Sequence, residues 1–535
     1  MLPLRYLPWA LSIALATASI TAAWLVHPGW WFAAALFAPM AAVGLYDMVQ
    51  KKRTLSRNYP LLIHFRYGLE TIGPEFRQYF IEADHDEVPF SREQRSLIYQ
   101  RAKNVLDKKP FGTKLNVYAI DYEWVNHSIT PSPVPDPDFR LTIGAGRNRP
   151  YDASVFNISA MSFGSLSPNA IRALNAGAAK GRFYHDTGEG GISRYHLEYG
   201  GDLVWEIGSG YFGCRDRNGR FDEARFADQA RFEAVRMIEI KLSQGAKPGQ
   251  GGILPAAKVN AEVAEARGVP SGEDVYSPAA HSAFSTPREL LHFIERLRER
   301  SGGKPVGFKL AIGHPWEWFA IVKAILDEDI LPDFIVVDGA EGGTGAAPLE
   351  FVNRVGVPLR DGLLLVHSTL MGAGLRDRIR VGAAGKITSG FLVARTLALG
   401  ADWCNAARAF MFALGCIQAL NCHTDRCPSG VATQERRRWR KLDVDDKALR
   451  VYHFHRNTLQ SLAGMLSAAG LESPDQIRPA HIIRRVSAHE VHSYEELFPL
   501  LAPGELLDHT PEHEVFRRFW PDATPDSFAA PGLRT

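Results

Sequence analysis

Apolar and polar positions along this chain follow three successive patterns. From Leu7 to Val26 twenty residues carry no charge, and from Trp30 to Tyr46 seventeen more carry none, with only His27-Pro28-Gly29 between the runs. Each is long enough to cross a hydrocarbon core, the second barely so. Trp9, Trp24, Trp30, Trp31 and Tyr46 fall near the ends, where amphipathic rings prefer the interface. Arg5 precedes the first run and Lys51-Lys52-Arg53 follow the second, which places both outer ends on the cytoplasmic side and the Pro-Gly turn outside. A signal peptide is the competing reading of the first run, but a second apolar run behind a tight turn argues against removal. The expectation is a two-span hairpin over residues 1–50, set in the inner (cytoplasmic) membrane and in contact with lipid, with a catalytic domain in the cytoplasm.

Residues 51–150 read as a connecting region. Helical patterning over Ser91–Lys108 gives way to Thr130-Pro-Ser-Pro-Val-Pro-Asp-Pro137, too rich in proline for a helix or a central strand. From about residue 153 short β-prone runs alternate with helical ones. Eight runs stand out: Val155–Ala160, Arg182–Asp186, Met237–Leu242, Asp274–Ser277, Val306–Leu310, Phe334–Val337, Arg378–Val381 and Asp402–Ala406. Helical stretches such as Pro287–Arg300, Trp316–Asp327 and Gly390–Leu399 lie between them. This alternation predicts a parallel sheet, and eight units suit a (β/α)8 barrel over residues 151–487. An open doubly wound sheet fits the count too, but would gather its polar loops at one switch point. Here Gly-rich and polar loops follow many different strands. Beyond Ser487, repeated Pro and acidic residues suggest a surface tail, residues 488–535, whose histidines are spaced too irregularly for a metal site.

Composition adds little. A net charge of +2 and 22% charged residues give no reason to expect a nucleic-acid partner. The basic run Arg436–Lys441 suits an anionic lipid surface, an acidic redox partner or simply a solvated helix face.

The loops carry more. Ala160–Ser167 follows the first run, Thr187–Gly191 the second, Gln244–Gly252 the third and Asp338–Gly345 the sixth. Clustered glycines let backbone amides approach a ligand closely. Gly385-Lys386 and Ala407-Arg408, after the seventh and eighth runs, stand where barrels often hold a phosphate. Lys309, inside a strand, needs an anionic partner whether it faces the mouth or is buried.

Three of the five cysteines sit as Cys416-x5-Cys422-x4-Cys427. In a reducing compartment metal ligation is a better default than a disulfide. The spacing fits an iron–sulfur cluster with one ligand fewer than usual, zinc completed by His423, or unligated buried thiols.

From Asn157 to about Arg485 the chain resembles the FMN-binding and central part of the glutamate synthase large subunit. The matching stretches are Ala160–Ser165, Asn175–Lys180, Thr187–Gly191, Gln244–Gly252, Ser277–Phe284, Lys309-Leu310, Gly342–Pro348 and Gly415–Gln434. The resemblance implies a (β/α)8 barrel with FMN at its mouth and a [3Fe–4S] cluster on Cys416, Cys422 and Cys427, and so favours iron–sulfur over zinc. It implies reduction of 2-iminoglutarate, formed from 2-oxoglutarate and ammonia, to L-glutamate. Electrons would come from a donor such as ferredoxin or an NAD(P)H-oxidising subunit. Met161, Ser162, Lys309, Gly342, Gly343, Gly385, Lys386, Ala407 and Arg408 would bind the flavin. Gln244, Lys247 and Lys258 would bind the dicarboxylate, and Glu189, Lys247 and Lys309 would serve the chemistry.

The departures matter equally. No cysteine precedes Cys214, so the family's amidotransferase domain with its N-terminal cysteine is not expected, nor is its C-terminal β-solenoid. Gly382-Ala-Ala-Gly385 stands where the family usually has Asp-Gly-Gly. Ammonia would be used free or supplied by a separate subunit. Two alternatives remain: the FMN module of an N-methylglutamate-forming system, in which methylamine replaces ammonia, and a membrane-anchored flavin/iron–sulfur electron-transfer module.

Overall fold

The structure, a computed structural model, describes residues 4–50, 54–83, 86, 89–508, 511–530 and 532; the basic triplet 51–53 lies outside them. The chain divides into two compact units, Met1–Arg92 and Glu93–Thr535.

In the first unit, helices α1 (Leu7–Leu25) and α2 (Trp31–Val49) form an antiparallel pair, each long and apolar enough to cross a membrane. The second extends three residues past the predicted end at Tyr46. Gly44 makes the close approach possible: a Cβ there would lie 2.2 Å from the Trp9 ring, whose N–H donates to the Ala41 carbonyl at 3.0 Å. Leu7, Leu11, Trp24, Leu25, Phe32, Leu36 and Leu45 point outward, apolar and exposed. Helix α3 (Leu62–Phe76) follows.

The second unit is built on a closed barrel of eight parallel strands. In chain order these are β1 (Phe156–Ile158), β2 (His185–Asp186), β3 (Leu203–Ile207), β4 (Val235–Lys241), β5 (Val306–Leu310), β6 (Phe334–Asp338), β7 (Arg380–Ala384) and β8 (Trp403–Ala406). Each pairs with its neighbours in sequence, and β8 closes on β1 through Cys404–Phe156 and Asn405–Asn157. The eightfold count agrees with the sequence reading, but one member does not. Val275–Tyr276, expected in the barrel, pairs instead with Ile253–Leu254 in a small antiparallel ribbon. The missing place is taken by Leu203–Ile207, whose Glu206 interrupts an otherwise apolar run. The loop Gln244–Gly252 therefore follows the fourth strand.

Helices on the outside start where sequence chemistry dictates. Ser167 and Thr286 cap Pro168–Gly181 and Pro287–Arg300 by accepting backbone N–H bonds of 3.2 Å from Ala170 and Glu289, each with proline at the first helical position. The long helix Val444–Ala468 is capped by Asp443 and ends ahead of Gly470, at a φ of +77°. Ile482–Arg485 is a strand between Glu123–Val125 and Val491–Ser493. The segment read as a surface tail is packed: Phe516 and Trp520 are buried against Phe319.

Strand alternation sends one set of side chains inward. At the N-terminal end these are Tyr184, Val204, Met237, Phe334, Val336 and Trp403, and the hairpin Arg140–Ile143/Tyr151–Ser154 plugs this end with Ile143, Tyr151 and Ala153. Trp403 donates to the Tyr184 hydroxyl at 2.8 Å, which donates to Asn405 at 2.6 Å. The floor is buried and hydrogen-bonded, which leaves the opposite, C-terminal end of the strands as the place for chemistry.

Candidate active site

The inward positions above that floor are charged. Lys309 on β5 is buried, its ammonium in contact with Glu206 of β3 and 3.5 Å from Glu239 of β4. Burial works against its charge, but Glu206, Glu239 and Asp186 outweigh that and raise its pKa. Burial also pushes the carboxyls up: Asp186 to about 7, with Glu206 adding to the effect, and Glu239 and Asp338 likewise upward. Asp186, Glu206 and Glu239 bring their oxygens within 4.8 Å of one another, with Lys309 as their counter-charge. The sequence reading asked for an anionic partner for Lys309 and missed these three. Their signal was an isolated charge at period two inside a β-run, as in Trp205-Glu206-Ile207 and Ile238-Glu239-Ile240-Lys241.

Above this layer Glu189, in the loop after β2, meets Lys241 at the end of β4 at 2.9 Å and accepts from Ser277 at 3.3 Å. Gly208 and Gly252 give the carboxylate room: a Cβ at either would come within 2.7 Å of its oxygens. Burial alone would raise its pKa, but Lys241, Arg267 and Lys247 bring it down to about 2. An ionised, ion-paired carboxylate accepts hydrogen bonds and holds cations at neutral pH; it has no proton to donate. Lys241 was not singled out from sequence.

Lys247 is only 2% exposed, its pKa lowered by burial, and no hydrogen bond or ion pair engages its ammonium among the described residues. Its loop is held by a turn, the Lys247 N–H donating to the Gln244 carbonyl at 3.3 Å, and by the Gly245 N–H on Asp338 at 2.9 Å. Gly245 comes so close to β6 that a Cβ would overlap the Gly339 carbonyl at 1.8 Å. Gln250 Oε1 and Arg267 Nε are shut off from solvent without a partner. A buried cation and unsatisfied polar atoms converging at one barrel end suit a polar, anionic ligand.

Gly188, at a φ of +63°, lies against the Met161–Ser162 backbone, where a Cβ would come within 2.6 Å of the Ser162 nitrogen. Ser162 donates to Ser165 at 3.0 Å and accepts from Arg267 at 3.3 Å. Arg408, at the start of helix Arg408–Ala413 behind Ala407, donates to the Glu341 carbonyl and covers Gly343, where a Cβ would stand 2.7 Å from its Nη1. Gly385 packs on Leu359, and Lys386 adopts a φ of +48°. Gly343 is therefore brought to Arg408 and Gly342 to the Gly245–Ala246 backbone, while Gly385-Lys386 follows the end of β7. The Arg408 guanidinium beside close-packed backbone fits a phosphate.

Lys258 lies elsewhere. Its ammonium donates to the Ser165 carbonyl at 3.2 Å and the Ala432 carbonyl at 3.0 Å, and feels Asp425, Cys422 and Cys427. It thus belongs to the cysteine loop rather than to the Lys247 cluster. The Gln434 amide fastens the same loops by donating to the Gly164 and Leu166 carbonyls at 3.1 and 2.8 Å. Tyr99 donates to the Cys416 carbonyl at 2.6 Å, and Gly345 of the β6 loop comes close enough to Cys422 that a Cβ would be 3.7 Å from the cysteine's own. Burial pushes the Cys416 thiol up to about 12. Cys427 goes the other way: burial is outweighed by the Ser429 hydroxyl and the Ala432, Ser429 and Val431 N–H groups. Such a cradle of donors favours a thiolate. The acidic trio is the one group among the described residues with its ligand atoms within 4.8 Å of one another, so the three sulfurs are spaced more widely than one shared ion would hold them. A multi-iron cluster accommodates wider spacing. Cys214 and Cys404 are buried elsewhere in the barrel, both thiols pushed up by burial.

The conserved region in glutamate synthase matches residues 147–472, more than half of the chain. The chain belongs to the glutamate synthase family. The glutamate synthase large subunit-like protein YerD of Bacillus subtilis is 37% identical over 486 residues, 83% of this chain and 92% of its own length. The archaeal NADPH glutamate synthase of Methanocaldococcus jannaschii is 33% identical over 360 residues, 67% of each. The NADPH glutamate synthase large chain of Bacillus subtilis is 35% identical over 285 residues, only 18% of its length. Among solved structures, a flavocytochrome b2 variant with pyruvate bound covers 79% of this chain and 85% of its own at 12% identity and a TM-score of 0.41. A likeness that low adds nothing to the strand pairing described above. The resemblance read from the dispersed motifs is thus borne out, and the protein is a member of an oxidoreductase family.

Proposed function

We propose that the barrel catalyses the reductive amination of 2-oxoglutarate to L-glutamate, using FMN at the Gly-rich mouth and a [3Fe–4S] cluster on Cys416, Cys422 and Cys427. The observation that carries this reading is the cysteine loop, bound by Lys258 and Gln434 to the loop after β1 and touching Gly345 of the loop after β6. When bound, the flavin supplies a hydride and the cluster a one-electron route from the donor.

The chain's residues have separable tasks. Lys247 binds a substrate carboxylate, with Gln244 holding its turn. Arg408 and Lys386, with Gly343 and Gly385, would hold the flavin phosphate, and Met161-Ser162 would offer backbone to the cofactor. Ammonia adds to the keto carbon and water leaves, giving 2-iminoglutarate; its reduction would take a hydride equivalent from the bound flavin and one proton from solvent, giving L-glutamate. Glu189, ionised against Lys241, accepts a hydrogen bond from the attacking nitrogen and orients it. Lys309, paired with Glu206 and Glu239 below the mouth, would fix the polar layer on which the ring rests. Nitrogen arrives as free ammonia or from a separate subunit, and α1 and α2 anchor the enzyme in the cytoplasmic membrane.

The exposed apolar faces of α1 and α2 favour one second reading, a relay between a soluble donor and the membrane. Anaerobic reduction followed by stopped-flow reoxidation separates the two. Reoxidation by 2-oxoglutarate with ammonium, yielding glutamate, supports the synthase. Reoxidation only with methylammonium assigns an N-methylglutamate-forming activity, and reoxidation only by a quinone assigns the relay.

A further inference from the structure

Helix α3, prolonged by a π-helical turn over Arg77–Ile81, carries apolar side chains at Leu62, Phe65, Leu69, Ile72, Phe76 and Phe80. The alternation of three- and four-residue steps puts them on one stripe. In a globular domain such a stripe is the core face. Here every one of its members is exposed, Phe65 at 73% and Phe80 at 76%. The charges lie off the stripe, Arg66 paired with Glu70 at 2.7 Å. Gly68 and Gly73 lie in helix interior, where an added Cβ would meet nothing within 4 Å. Each weakens the helix by about 1 kcal/mol relative to alanine. A helix of this length and composition is marginal alone in water, so its apolar face needs a partner.

The position of the helix says what that partner is. Asp47, buried in the last turn of α2, accepts from the Leu61 N–H at 3.1 Å and meets His64 Nε2 at 2.9 Å. Arg57 reaches back to the Met48 carbonyl at 3.3 Å. The start of α3 is thereby clasped to the end of α2, which on the membrane reading of the hairpin lies where a bilayer passes from acyl chains to headgroups. Residues 54–83 carry Arg57, Arg66 and Arg77 against Glu70, Glu75 and Glu82, so neither sign is in excess.

We propose that α3 lies in the plane of the membrane interface, its stripe sunk into the acyl boundary of the bilayer that holds α1 and α2. The occupant is phospholipid, recognised by apolar area rather than headgroup charge. This rests on the membrane reading of the hairpin, and the test keeps the two apart. The full chain is assembled in phosphatidylcholine nanodiscs with p-benzoylphenylalanine in place of Phe65, Ile72 or Glu70, and of Leu11 in α1 as the reference. Irradiation is expected to give lipid adducts from positions 65 and 72 at about tenfold the yield from position 70, as an in-plane amphipathic helix requires. If position 11 labels lipid while positions 65 and 72 label barrel peptides or a second copy, the proposal is overturned and the hairpin stands. If position 11 labels no lipid, the membrane reading falls and takes the proposal with it.

Discussion

The Lys241 ammonium stands 2.9 Å from the Glu189 carboxylate, joining the end of β4 to the loop after β2 across the intervening strand. The pair fixes the ionisation of the site's best-placed acid, whose pKa falls to about 2 from the usual 4.5 although burial alone would raise it.

Breaking this pair from one side should cost more than removing both charges. Lys241→Met leaves a buried carboxylate short of its main partner and should destabilise the protein by about 3 kcal/mol. Adding Glu189→Gln should recover most of the loss in denaturant melts of the four-variant cycle. A folded pKa depressed from 4.5 to about 2 contributes stability that is present above 4.5 and lost as pH falls toward 2. Wild type should accordingly lose more stability than Glu189→Gln between those limits.

Asp186 has the opposite sign. Its pKa rises from 3.8 to about 7 because burial and Glu206 disfavour the charge. Its contribution is therefore complete below 3.8 and lost as pH rises through 7. Asp186→Asn should flatten that decline, so its stability relative to wild type improves from acid to neutral pH. Equal pH slopes for the two proteins would contradict the arrangement around Lys309.

Lys247→Ala should raise KM for 2-oxoglutarate by roughly 10- to 100-fold, the equivalent of about 1.5–3 kcal/mol for a lost charged hydrogen bond. Lys258→Ala should instead leave KM close to wild type and alter the spectroscopic signature of the cysteine loop, because its bonds go to the Ser165 and Ala432 carbonyls. Steady-state kinetics on the two variants distinguishes these roles.

Serine at Cys416, Cys422 or Cys427 should abolish the iron–sulfur absorbance and electron paramagnetic resonance signal of anaerobically purified protein. Serine at Cys214 or Cys404, buried away from the loop, should leave both intact.

What the sequence made legible was decided by local chemistry. Pro287–Arg300 was readable to the residue because Thr286-Pro287 announces its start. The cysteine loop was readable because its spacing and flanks are contiguous. Strand β3 was not: Leu-Val-Trp-Glu-Ile is short, and Glu206 reads as a break until a closed barrel gives the charge an inside with Lys309 in it. Val275-Tyr276, equally short and β-prone, took its place in the count. Lys258 was read with Lys247 as a partner for the dicarboxylate, and only the fold shows its ammonium on the Ser165 and Ala432 carbonyls instead.

The Gln434 amide donates to two carbonyls of the loop after β1, and Lys258 ties that loop to the Ala432 carbonyl. These three bonds make the cysteine loop and the barrel rim a single mechanical body. Electron tunnelling weakens exponentially with the gap to be crossed, so thermal motion of a loosely hinged metal carrier would scatter the transfer rate over a wide range. A redox centre held by Cys416, Cys422 and Cys427 would instead ride with the rim, its tunnelling gap set by covalent and hydrogen-bonded framework.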